Sequence, residues 1–130
     1  MPAGKTGPVA RITVDDVEYV YLGSVRKGDD VTVTVRATSK KGDRAGPNGA
    51  MTLIDDEGKK YTAAPAGGFG APPALRNGTP VKLMWRFGRN AFTGESSAPS
   101  PKIRRFAAVI IAPPLGGGDN TIEFRSVPAR

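Results

Sequence analysis

Val31-Thr-Val-Thr-Val-Arg-Ala-Thr38 decides the fold class. Val31, Val33, Val35 and Ala37 alternate with Thr32, Thr34, Arg36 and Thr38. Successive side chains of a strand point to opposite faces, so this period of two makes one apolar face and one wet face. The β-branched valines and threonines also suit a pleated surface better than a helix. Downstream, Pro80-Val-Lys-Leu-Met-Trp-Arg-Phe87 repeats the pattern, with Val81, Leu83, Trp85 and Phe87 inward and Lys82, Met84 and Arg86 outward. Trp85 is the leading core residue. Ile103-Arg-Arg-Phe-Ala-Ala-Val-Ile-Ile111 starts polar and becomes apolar on both faces, as in a central strand covered on both sides in its second half. Asn120-Thr-Ile-Glu-Phe-Arg-Ser-Val127 alternates again, placing Ile122 and Phe124 inward and Glu123 and Arg125 outward.

Turn signals separate these runs. Val9-Ala-Arg-Ile-Thr-Val14 and Val17-Glu-Tyr-Val-Tyr-Leu22 are divided by Asp15-Asp16 and read as edge strands, and Arg26-Lys27-Gly28-Asp29-Asp30 is a turn before the valine ladder. Ala50 to Ile54 and Lys59 to Thr62 flank Asp55-Asp56-Glu57-Gly58, the pattern of a hairpin. Ser39 to Gly49 reads as a mobile polar loop, and Ala63 to Gly78 holds too many prolines and glycines for a regular element. Gly88 to Pro101 is a further long loop.

About seven or eight antiparallel strands without a convincing helix predict an all-β fold. The loops 63–79 and 88–102 read as crossings between sheets, which favours an immunoglobulin-like β-sandwich with Greek-key connections over a closed up-and-down barrel. Residues 1–8 lack the apolar core of a signal peptide and read as a flexible lead-in. Residues 9–130 form one domain, a size suited to a single core.

Composition narrows the chemistry. The 17 Gly and 12 Pro oppose long helices. Without His or Cys, the chain lacks the histidine base, the thiolate nucleophile and the usual ligands of zinc, copper, haem and iron–sulfur groups. It reads as a non-enzyme with no catalytic residue, metal site or cofactor. No run approaches the roughly 20 apolar residues of a helical membrane span. Nineteen Lys and Arg against twelve Asp and Glu give a formal charge of +7, which favours acidic partners at long range. These cations are dispersed from Lys5 to Arg130 rather than gathered in one tail.

Several groupings invite chemistry. Acidic residues cluster at Asp15-Asp16, Asp29-Asp30 and Asp55-Asp56-Glu57. None has the alternating oxygen ligands of a calcium loop, and turn formation explains them. Basic and aromatic residues interleave through Lys82 to Phe92 and Lys102 to Phe106, a composition able to hold phosphates and stack bases. The same alternation makes Trp85 and Phe87 core residues. Gly67-Gly68-Phe69-Gly70 and Gly116-Gly117-Gly118 lack the following helix of a phosphate loop. Phe69 and Phe92, set among small residues in loops, are either exposed contacts or covers for the open end of the core.

Glycine before the valine ladder (Gly28 to Val35), Thr52-Leu-Ile-Asp-Asp-Glu-Gly-Lys-Lys-Tyr61, Asn77-Gly78 before Val81 to Phe87, and two closing apolar strands follow one another in order. Over residues 17 to 127 this order resembles that of bacterial immunoglobulin-like domains, secreted or lipoprotein-borne, related to a mycobacterial immunoprotective antigen. The resemblance implies a secreted or envelope location and carries over no catalytic residues. That family's signal peptide or lipobox cysteine is not in this sequence.

The expected function is a non-catalytic extracytoplasmic module that binds a protein or an anionic polymer. Its contact surface is expected on loops 39–49, 63–79 and 88–102, with Phe69, Arg86, Arg89, Phe92, Lys102, Arg104 and Arg105 as contact residues. A cytoplasmic nucleic-acid-binding barrel using those cations with Phe92 or Trp85 is the first alternative. A structural subunit that assembles through its edge strands is the second.

Overall fold

The computed structural model describes residues 10–14, 16–28, 30–47, 49–65, 74–88, 98–99, 102–112 and 122–128. Phe69, Arg89 and Phe92, the glycine runs and the lead-in lie outside these residues. All regular structure among the described residues is strand: β1 Ala10–Val14, β2 Val17–Lys27, β3 Asp30–Ser39, β4 Arg44–Ala45, β5 Met51–Asp55, β6 Lys60–Ala63, β7 Ala74–Leu75, β8 Val81–Phe87, β9 Arg105–Ile111 and β10 Ile122–Pro128. They form two four-stranded sheets, ordered β1-β2-β3-β8 and β10-β9-β5-β6, and the short ribbon β4-β7. Every pairing within them is antiparallel, and the sheets are not closed into a barrel.

The valine ladder sits at the centre of the first sheet. Val33 faces Trp85 across β3 and β8, and Val35 faces Leu83 on one side and Tyr21 on the other. Residues opposite one another share a face, so these side chains form one apolar layer. Leu53, Phe106, Val109 and Phe124 from the second sheet belong to the same core. Trp85 is 1% exposed and donates its indole N–H to the Gly49 carbonyl at 3.0 Å, which satisfies the one polar atom of the ring.

The chain changes sheets three times: between β3 and β5, between β6 and β8, and between β8 and β9. Because β3 ends beside the start of β8, segments 39–49 and 63–79 are anchored at one pole of the strands. Segment 88–102 is anchored at the other, where β8 ends. The three loops expected to make one contact surface are therefore anchored at opposite ends of the domain.

Other departures have local causes. β2 is not an edge strand: it lies between β1 and β3 and continues five residues beyond Leu22. A bulge makes this continuation fit, because Tyr21 pairs with Val35 while Gly23 pairs with the next residue back, Thr34. Gly23 has φ 106°, a conformation that glycine adopts without steric penalty.

Segment 39–49 is tied down rather than loose. Gly42 donates its backbone N–H to Asn77 Oδ1 at 3.0 Å, Asn77 donates its own to Asp43 Oδ1 at 2.9 Å, and Gly78 donates to the Ser39 carbonyl at 2.8 Å. Within 63–79, Leu75 of β7 is 1% exposed and joins the core. In β9 the alternation slips at Ala107, so that Phe106, Val109 and Ile111 are the inward residues. Buried Ala108 and half-buried Ile110 face the other way, so the second half of this strand is apolar and largely covered on both sides, and β9 lies between β10 and β5 as a central strand.

Candidate functional site

Two features of the described residues carry polar chemistry, one buried and one on the surface. The buried one is Asp55, 2% exposed at the end of β5. Its Oδ1 accepts from the backbone N–H groups of Glu57 and Lys59, both at 2.9 Å, and its Oδ2 accepts from the Tyr61 hydroxyl at 3.0 Å. Gly58, at φ 87°, lets the chain reverse so that these donors converge. Burial raises the Asp55 pKa. Hydrogen bonds from the Lys59 amide, the Tyr61 hydroxyl and the Glu57 amide, with the Lys59 charge, outweigh it and leave the carboxyl below its ordinary value. For Tyr61, burial and the bond to the Asp55 carboxylate push the phenol up to about 12. Burial likewise raises the phenol of Tyr21, which donates to the Pro128 carbonyl at 2.7 Å. These groups hold turns and strand ends in place. Among the described residues no three acidic side chains gather in a geometry that could hold a metal ion.

The surface feature is the outer face of the first sheet. In register across its four strands run Arg11, Val20, Arg36 and Lys82. The neighbouring rows carry Thr13, Glu18 and Thr38 on one side, and Gly23, Thr34 and Met84 then Val25, Thr32 and Arg86 on the other. Glu18 lies 3.6 Å from Arg11 and 3.9 Å from Lys40, and Asp30 lies 3.3 Å from Arg86. Arg36 and Lys82 face each other directly, and among the described residues neither is paired with a carboxylate. Val25, 69% exposed, and Met84, 48% exposed, stand on the same face.

Of the expected contact residues, those among the described residues lie on different sheets. Arg86 belongs to this outer face and is paired with Asp30. Lys102, Arg104 and Arg105 are exposed at and before the start of β9, in the second sheet. The Arg105 guanidinium donates to the Ser126 carbonyl on neighbouring β10, a structural bond. Trp85 is buried and offers no ring for stacking. Arg36 and Lys82 were legible one at a time, as outward positions of alternating strands, whereas Arg11 was read only as part of an edge strand. Their alignment depends on the pairing of β3 with β8, which have 41 residues between their nearest ends, and no local signal carries that.

Fold and site together describe an all-β domain with a bonded interior and a sheet face that bears cations over a covered centre, where Val20 is 1% exposed. Comparison with protein-family models, with curated proteins and with solved structures finds no match to this chain.

Proposed function

We propose that this chain is a non-catalytic binding module of the bacterial envelope or exterior, an immunoglobulin-like β-sandwich with Greek-key connections that acts through its surface. One observation carries the reading. Among the buried polar side chains, Asp55, Tyr61, Tyr21, Trp85 and Ser39 are engaged in hydrogen bonds that hold turns, strand ends and loops, and no buried polar side-chain atom among the described residues lacks a partner. A catalytic acid or base needs a group held ready to exchange a proton with substrate, and these groups are committed elsewhere. Recognition is left to the exterior, where the net charge of +7 favours an acidic partner. The strand order, with three changes of sheet around one core, supports the sandwich.

Fractionation of the native cells, with the protein's N-terminus determined by mass spectrometry, tests the reading. Recovery in the envelope or culture medium, with a processed N-terminus, is the expected result. Recovery in the cytosol would overturn it.

A further inference from the structure

We propose that the outer face of the first sheet docks an acidic polysaccharide, whose carboxylates lie along the row of Arg11, Arg36 and Lys82. The inference rests on the reading of the chain as an exported contact module and names the chemistry of its partner. Arg36 and Lys82 are direct cross-strand neighbours, and like charges so placed destabilise a sheet. Of the other cations, Arg86 is paired with Asp30, while Arg11 and Lys40 share the single carboxylate of Glu18, which leaves one positive charge in excess. Local conflicts of this kind concentrate where a protein has a function to perform. A bound carboxylate between the two cations removes the conflict.

Geometry selects a linear ligand. Strands lie about 4.8 Å apart, so Arg11 on β1 and Lys82 on β8 are separated by roughly 14 Å along a line perpendicular to the strands. One small anion cannot span that row, whereas successive acidic groups of a polymer can. Threonines that are exposed or half-buried flank it, Thr13 on one side and Thr32 and Thr34 on the other. Their hydroxyls both donate and accept, which suits sugar hydroxyls.

Single-stranded nucleic acid fits this face less well. Tyr19, Tyr21, Trp85 and Phe87 all belong to the buried core, and the described residues of the outer face include no aromatic ring on which a base could stack. An acidic protein would need a continuous apolar centre. Here Thr34 separates Gly23 from Met84, and Thr32 separates Val25 from Arg86.

The test uses fluorescence anisotropy of the whole protein with three labelled probes of matched charge: an oligouronate, poly-L-glutamate and single-stranded oligothymidylate. Each is titrated at low and moderate salt. Two variants, Lys82→Glu and Lys60→Glu, make the same charge change, Lys60 being exposed on β6 of the second sheet. The oligouronate is expected to bind most tightly, with an affinity that falls as salt rises. Lys82→Glu should weaken it about tenfold, and Lys60→Glu by no more than about twofold.

Lys82→Glu should also raise the thermal midpoint by replacing a repulsion with an ion pair to Arg36, so affinity and stability move in opposite directions. No oligouronate binding at low salt, or an equal loss in both variants, would overturn the proposal. Tighter binding of poly-L-glutamate or of oligothymidylate would reassign the face to an acidic polypeptide or to nucleic acid. An envelope protein that ignores the oligouronate sinks this inference alone, whereas a cytosolic protein sinks the reading beneath it.

Discussion

Asp55 shows how much one side chain can hold in this domain. Its carboxylate gathers two amides of its own turn and the Tyr61 hydroxyl, so Asp55→Asn should lower the thermal midpoint by exchanging a charged acceptor for a half-donor amide. The pH dependence follows from the direction of the shift. With its folded pKa below the ordinary 3.8, Asp55 contributes stability that is present above that value and is lost as pH falls through the folded pKa. An acid series of thermal midpoints should fall below about pH 4 in the parent protein and be flatter in Asp55→Asn. A parent and variant with parallel acid limbs would refute the assignment. Tyr61 has the opposite sign: raised to about 12, it contributes stability that is present below its ordinary value of 10.0 and lost as pH rises toward 12. Trp85→Phe should destabilise by about 2–4 kcal/mol, because it strands the Gly49 carbonyl and leaves part of the core unfilled. Urea unfolding measures that loss. Both residues were partly legible in the sequence. Alternation alone placed Trp85 in the core, and the Asp-Asp-Glu-Gly turn was plain. The near-complete burial of Asp55 was not, since it requires the Tyr61 hydroxyl to reach across the hairpin.

Elements fail to follow their sequence pattern where a strand changes phase. Gly23 and Ser126 mark two such places in the described residues. At Gly23 the bulge leaves Leu22 as the extra, exposed residue, after which Ser24 takes the position opposite the buried Val33. In β10, Ile122 and Phe124 point inward as their alternation predicts. Ser126 then adopts φ 52°, and Val127 becomes the next inward residue. A period-two reading ends a strand where the pattern breaks, so it stopped β2 at Leu22, although a lone glycine inside a β-rich run is itself a bulge signal. Substitutions at the two sites should have opposite effects. Gly23→Ala forces an L side chain toward positive φ and should destabilise by about 1–2 kcal/mol. Ser126→Gly removes that penalty and should stabilise by up to about 1 kcal/mol. Chemical denaturation of both variants gives the signs, and a neutral Gly23→Ala would mean that the bulge is not a fixed part of β2. Similarly, Gly88→Ala would drive a methyl group to 2.1 Å from Asp30 Oδ1 and displace the partner of Arg86.

Across the whole molecule the two sheets have no separate interiors. Val33, Val35, Trp85 and Phe87 from one and Leu53, Phe106, Val109 and Phe124 from the other belong to a single cluster, so neither sheet can keep its apolar face dry without its partner. Strand existence was legible because each strand is written in a few consecutive residues. Sheet order was not, because β3 pairs with β8 and β5 with β9 across long intervening segments, and local patterning specifies no partner. That non-local wiring has two measurable consequences. Unfolding should be all-or-none, with Trp85 fluorescence, which reports the first sheet, and amide exchange of β9, which reports the second, giving the same global free energy. Folding should be slow for a domain of this size, in the range of about milliseconds to seconds, because closing the β3–β8 and β5–β9 loops loses chain entropy before the shared core forms. Stopped-flow refolding followed by Trp85 fluorescence measures the rate. A β9 that exchanges well before the fluorescence transition would show that the second sheet opens independently, and the outer face of the first sheet would then have to keep its cation row aligned without support from the shared core.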